Sequence, residues 1–448
     1  MSHGRSPRHA TGVLPKAVLL GLALFTVFSQ GLWSIALRAD VPALVDPFVM
    51  LALLVIPRPR RVRGINKLAR PLAVFWILWE ALGIFAAINP SIAVGDVLVS
   101  IRSLLIFFVL TRLPSLELVL FYRNALILTA FLQSLIAIAQ WRFGIGPLPF
   151  FGGSRESYRS FGTMPVSHSL AIYLVVVCHA TLGALFSQRK GYGVFLTALG
   201  AGVLALFTTY NRAGWLALVL TIPLIVIWAC RVHHFTIRRG RRVFIPLAIV
   251  FGVLFTAKYG QVVVDRFFFM VEDSLVGDAP QSRLNLMRDG LRIVQERPLF
   301  GTSKANYRAY ADPRIPGGLP YVHNSLVFIA AETGIPCFLA CLGLLLAAGL
   351  SARQALRQHG TDIRLRAAIA ASTTGILAYL ISTFSTPDYH IPQIRYLFWG
   401  WLGLHFSLCA LRVSAPSRDR GAGPGPSQRL AASPRVAGNW REPESGNE

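Results

Sequence analysis

Acidic residues are scarce in this 448-residue chain: 20 Asp and Glu stand against 44 Lys and Arg, and charged residues of both signs make up only 14%. A soluble globular domain carries about a quarter charged residues, so this composition, with 54% hydrophobic residues, excludes that class. Cysteine is sparse as well. The five cysteines (Cys178, Cys230, Cys337, Cys341, Cys409) all fall in or at the ends of apolar runs, and no Cys-x-x-Cys pair occurs, which argues against disulfides and redox chemistry. There is no Asp-x-Asp pair for a divalent cation and no internal repeat at a fixed period. The one histidine pair, His233-His234, lies among cationic neighbours, which disfavours a metal there too.

Long apolar runs are abundant. Stretches of about twenty residues occur at 14–37, 41–57, 72–89, 97–113, 118–141, 166–187, 191–210, 212–230, 243–258, 324–350, 366–386 and 392–412. The fold class expected is all-α, a polytopic membrane protein with about 12 transmembrane helices and one long, partly helical outer loop. Span 41–57 is short and carries Asp46-Pro47, and span 97–113 holds Arg102 inside it.

A net charge of +24 is compatible with nucleic-acid binding, but its distribution points elsewhere. Basic residues cluster in alternate short loops: six in 57–71, five in 231–242, four in 353–366, and the pair Arg189-Lys190, with Asp362 the single acid among them. Such loops are expected to be cytoplasmic. The outer connections are then 38–41, 88–96, 142–165, 210–212, 259–323 and 387–391. The layout that follows is a cytoplasmic N-terminus (1–13), nine spans (14–258), an outer loop (259–323), three spans (324–412) and a cytoplasmic tail (413–448). The tail is rich in Pro, Gly, Ser and Arg, a composition that buries no core and is expected to be disordered. Arg5, Arg8 and Lys16 before the first apolar run resemble a signal sequence, with Ser34-Ile35-Ala36 as a weak cleavage site. The run is too long for that role, so a retained first span is expected.

Arg212, Arg283 and His323 all fall on the outer side of this layout, although the loop charges were counted without them. His323, in Val322-His323-Asn324-Ser325-Leu326, is a titratable imidazole at the mouth of a span. Residues 282–297 place Leu284, Met287, Leu291 and Val294 at helical spacing, with Arg288 and Arg292 on another face. This pattern predicts an amphipathic helix on the membrane surface whose first turn carries Arg283. An arginine there, with the helix N-terminus, suits an anion. Plainer roles stand beside these: the arginines as lipid-headgroup ligands, Asn324 as a helix cap, Arg212 as a snorkelling end residue. Glu80 and Arg102 inside spans raise the alternative of a transporter, unless they pair or snorkel. Asp40 and Asp46 are the only carboxylates near the first outer loop, which is too short to house a site. Asp388 and His390 in the last outer loop are further candidates.

Several of these segments carry a resemblance. Thr208-Thr209-Tyr210-Asn211-Arg212-Ala213-Gly214-Trp215-Leu216 resembles the arginine motif of the O-antigen ligase and polymerase superfamily, with Asn211 where serine is common. Arg283, followed by Glu296-Arg297-Pro298-Leu299-Phe300-Gly301, is similar to that family's second arginine and Pro-Leu-x-Gly turn. His323-Asn324-Ser325-Leu326 and Glu332-Thr333-Gly334-Ile335 are similar to its His-Asn-x-x-Leu and Glu-x-Gly-Ile pattern, and Arg159-Ser160-Phe161-Gly162-Thr163-Met164 to its Arg-x-x-Gly-Thr-Phe segment. The likeness covers about residues 140–345.

The resemblance implies a bacterial inner-membrane enzyme that transfers a glycan from undecaprenyl diphosphate to an acceptor on the periplasmic face, without metal, nucleotide or other cofactor. Implied partners are the undecaprenyl diphosphate-linked donor, a lipid A–core acceptor and membrane lipids, with no nucleic acid. His323 would act as general base, with Arg212 and Arg283 on the diphosphate and Arg288, Arg159 and Asn324 as further substrate contacts. Ligase and polymerase share this chemistry. The single, moderate histidine-motif loop favours ligase, while Arg142, Arg155 and Arg159 in 142–165 partly match the second arginine-rich loop frequent in polymerases.

Overall fold

The computed structural model describes residues 12–28, 45–56, 66–144, 159–187, 191–233, 279–310, 321–358, 362–384, 386 and 388–411. These are helical throughout, with no strand among the described residues. In chain order the helices are α1 (Val13–Phe28), α2 (Val45–Val55), α3 (Asn66–Gly83), α4 (Pro90–Leu110), α5 (Leu116–Phe143), α6 (Ser167–Ser187), α7 (Tyr192–Thr208) and α8 (Arg212–His233). After the undescribed segment come α9 (Ala279–Glu296), α10 (Tyr307–Tyr310), α11 (Ser325–Gln358), α12 (Ile363–Thr383) and α13 (Pro392–Ala410).

Among the described residues, seven helices are long and apolar enough to cross a membrane, and α7 and the first part of α1 are shorter apolar helices. The described residues thus form an all-helical membrane-type bundle. Eleven of the twelve expected segments are helical, while 243–258 and the tail 413–448 lie outside the described residues. Segment 41–57 differs most: α2 has 11 residues, about 16 Å at 1.5 Å per residue and half of what a bilayer core requires.

Two boundaries move in ways that matter for the site. The helix expected from 97 begins at Pro90, because Asn89 caps it, its side chain accepting from the Ile92 amide, and proline fits the first helical position. Asp96 therefore sits on a helix rather than in the outer connection 88–96. The helix expected over 324–350 extends to Gln358, and Gly334 interrupts it with φ 83° and ψ 172°.

α6 and α13 form the centre of the bundle, buried along nearly their whole length. Small residues let α6 and α12 close on each other: a Cβ on Gly183 would stand 3.1 Å from the Ala367 carbonyl. His405 of α13 ties three helices, with Nδ1 2.9 Å from Ser372 Oγ on α12 and Nε2 3.0 Å from the Ala348 carbonyl on α11. Large apolar side chains such as Leu78, Leu132, Val219 and Leu346 point outward, as lipid-facing positions require.

Successive helices alternate in direction, so one end of the bundle collects the last turns of α3, α5, α7 and α12 and the first turns of α4, α6, α8, α11 and α13. Gln140 of α5 holds the 159–164 segment through the Phe161 and Gly162 amides, and the Ser160 amide donates to the Thr208 carbonyl at the end of α7. Ser325 of α11 donates to the Thr386 carbonyl, and Asn306 exchanges hydrogen bonds with the backbone of Asn89. The described parts of 88–96, 142–165, 210–212, 259–323 and 387–391 thus share one end.

Candidate active site at the shared end

α9 lies across the entry to α11. Its buried stripe is Leu286, Gly290 and Ile293, with Gly290 against Val322 and Val327. The stripe expected to meet the membrane is offset from this: Met287 and Leu291 are exposed, on a face the protein leaves uncovered. Because α9 starts at Ala279, Arg283 stands in its second turn rather than its first, and its side chain lies outside the described residues. Arg288 is exposed on α9, while Arg292 faces Asp289 at 3.5 Å and Glu296 at 3.9 Å.

His323 sits in the turn that leads into α11, half-buried. The Asn324 amide donates to the Val322 carbonyl across that turn, and Asn324 Oδ1 accepts from the Leu326 and Val327 amides at 2.9 and 3.1 Å. Asn324 is therefore the N-cap of α11, and its oxygen fixes the turn that presents the imidazole. On the other side Tyr321 stacks on His390 at 4.1 Å, with the Arg308 guanidinium 4.6 Å from the same ring. His390 is thereby joined to the His323 turn. Burial raises the Tyr321 phenol above its ordinary range.

Arg212 is the first residue of α8 and is half-buried. Asn211 accepts from the Gly214 amide, so the residue standing where serine is common still caps the helix. Arg159, exposed, neighbours this turn through the Ser160–Thr208 hydrogen bond. The structure thus gathers Arg159 and Arg212 on one side of the shared end and His323 with His390 on the other. His168 and Asp388 stand between them, 2.7 Å apart.

The segment from Arg297 to Asn306 plugs into the kink of α11. Gly334 leaves helical geometry, and its neighbours take partners from the plug: the Ile335 amide donates to the Pro298 carbonyl and the Thr302 amide to the Ala331 carbonyl. Trp79 of α3 donates to the Leu299 carbonyl and stacks on Phe300 at 5.0 Å. The Pro-Leu-x-Gly and Glu-x-Gly-Ile patterns are therefore two halves of one joint. A Cβ on Gly334 would press into the Leu299 carbonyl and stand 2.9 Å from the Phe300 amide, at a φ and ψ that only glycine adopts readily. Gly334→Ala is expected to destabilise the fold by about 3 kcal/mol or more, read as a fall in melting temperature of the detergent-solubilised protein. An unchanged melting temperature would mean that the kink is not required.

Beneath the plug lies an ionic cluster that sequence reasoning did not assemble. Lys304, 1% exposed, reaches Glu332 at 2.8 Å, Asp96 at 3.3 Å and Glu80 at 3.7 Å. Arg395 of α13, wholly buried, grips Asp96 with two hydrogen bonds of 2.6 and 2.8 Å and also donates to the His390 carbonyl. Trp76 donates to Glu80, and the Ala305 amide to Glu332. Burial alone would lower the Lys304 pKa, but Glu332, then Glu80 and Asp96, outweigh it and hold the ammonium above the ordinary lysine range. Ser303 and Ala305 carry positive φ of 68° and 56°, backbone strain of about 1–3 kcal/mol each that the cluster holds in place. Glu80, which raised the possibility of an ion pathway, is thus an anchor for the plug. Among the described residues no group of three or more His, Cys, Asp or Glu side chains could share a metal ion.

Residues 195–342 match the family model described as Wzy_C, O-antigen ligase. This match supports the O-antigen ligase superfamily for that stretch. The matched stretch is about a third of the sequence and contains Arg212, Arg283, the plug, His323 and Glu332. Glu80, Asp96 and Arg395 of the ionic cluster, and the pair His168 and Asp388, lie outside it. No curated protein sequence matches the chain.

Proposed function

We propose that this protein is an O-antigen ligase, transferring a glycan from undecaprenyl diphosphate to lipid A–core at the periplasmic face of the inner membrane. The observation that carries the reading is the shared end: His323 stands in a capped turn, next to the Tyr321–His390 stack, on the same bundle face as Arg159 and Arg212. The acceptor hydroxyl attacks the anomeric carbon and gives its proton to His323. The carbon–oxygen bond to the diphosphate breaks, its electron pair leaving with the phosphate oxygen. Arg212 and Arg283 stabilise the charge that develops there, with Arg288 and Arg159 as outer contacts. Arginine takes the part that a divalent cation plays in many glycosyltransferases, so the reaction is metal-independent, and direct attack predicts inversion at the anomeric carbon. Both chain termini then lie in the cytoplasm.

The test is transfer in liposomes containing purified protein, lipid-linked donor and lipid A–core, with chelator present. Glycan appearing on lipid A–core supports the ligase reading. Donor glycan that lengthens without reaching lipid A would assign the protein to polymerases instead, and loss of transfer on chelation would contradict the arginine-based chemistry.

A further inference from the structure

His168 stands in the first turn of α6, one-third exposed, with Nε2 2.7 Å from Oδ1 of Asp388. Asp388 is completely buried in the short helical turn Asp388–His390, and neither of its carboxylate oxygens has a hydrogen bond of good geometry. A buried carboxylate behind a partly exposed imidazole fixes the orientation of the ring and leaves its other nitrogen facing outward. Other buried polar groups at this end also lack partners: Ser169 Oγ, next to His168, and both amide atoms of Gln393 in the first turn of α13. Each such group costs about 1–3 kcal/mol when left unsatisfied, so this end holds more polar capacity than its own packing uses.

The surroundings indicate its charge. The segment leading into α6 carries Arg159, and its Ser160 amide is tied to the Thr208 carbonyl just before Arg212. The first turn of α6 adds the partial positive charge of a helix N-terminus. Donors and cations therefore converge from 159–168 and 208–212, across the Asp388–His390 turn from His323.

We propose that His168, oriented by Asp388, is a further catalytic residue that hydrogen-bonds the diphosphate of the lipid-linked donor through its outward ring nitrogen. This rests on the transfer reading above and adds a contact to it. As the anomeric carbon–oxygen bond breaks, the electron pair moves to the phosphate oxygen and His168 donates a hydrogen bond to the group that bears it. The proton from the acceptor still goes to His323. Asp388 is a positioning residue, acting only through the imidazole.

The experiment uses the full chain in nanodiscs and measures retention of labelled undecaprenyl diphosphate and, separately, of uncharged undecaprenol. Expected results are binding of the diphosphate about ten-fold weaker or more in His168→Gln, from loss of a charge-assisted hydrogen bond, with undecaprenol unchanged. Asp388→Asn should weaken the diphosphate similarly, and the double variant should be little worse than either single one. Equal losses for both lipids would overturn the proposal by showing a structural effect, as would wild-type diphosphate binding in both single variants. A wild type that binds no undecaprenyl diphosphate would sink the transfer reading itself. A wild type that transfers glycan, with both variants matching it in binding, would remove only the His168 assignment.

Discussion

Lys304→Met should cost the protein about 3–5 kcal/mol of stability, the usual penalty for removing one partner of a buried ion pair. The substitution keeps an unbranched side chain of similar length but leaves Glu80, Asp96 and Glu332 converging on an apolar thioether, with Arg395 the remaining cation in contact with Asp96. Two carboxylates would then be buried without a counter-charge. They would protonate or drag the plug out of the α11 kink, freeing the strain held at Ser303 and Ala305. The measurement is thermal or denaturant unfolding of the solubilised protein, paired with proteolysis of the 297–310 segment. A double variant, Lys304→Met with Glu332→Gln, should recover part of the loss, since it removes the charge that lost its nearest partner. A single variant as stable as wild type would show that the cluster does not anchor the plug.

Much of the fold was legible because the bilayer imposes a simple length rule: runs of about twenty apolar residues become helices. The starts of helices were less legible. Asn89-Pro90 is a cap followed by a proline at the first helical position, a signal present in the sequence that hydropathy alone passes over. Reading it would have put Asp96 on a helix. On α9 the spacing picked out only one of two apolar faces: Met287 and Leu291 are exposed, while the offset face of Leu286 and Ile293, which packs against protein, went unread.

The ionic cluster was hidden more deeply. Lys304 is one of eight basic residues in 259–323, and nothing local separates it from a solvated lysine. Its burial depends on α3, α4 and α11, whose contributing residues are more than two hundred positions apart at the extremes. Arg395 and Asp96 pose the same problem across 299 residues. The partial signals were Glu80 and Glu332, acids inside apolar runs, which in a membrane protein require partners. The His168–Asp388 pair was half visible, through Asp388 in the last outer connection.

The largest effect on activity is expected at His323. Its alanine variant removes the group that accepts the proton from the attacking hydroxyl, which general-base catalysis values at about 10²- to 10⁴-fold. The side chain is half-buried in a turn whose hydrogen bonds come from Asn324 and the backbone, so its loss should leave α11 capped and the fold intact. Donor binding should also survive, because the diphosphate is assigned to the arginines and His168. The most direct measurement is therefore the rate of glycan transfer from undecaprenyl diphosphate to lipid A–core by wild type and His323→Ala at matched melting temperature and matched donor binding. A fall of about a hundred-fold or more with both controls unchanged is the result this mechanism predicts. Transfer by His323→Ala at the wild-type rate would contradict it and remove His323 as the base.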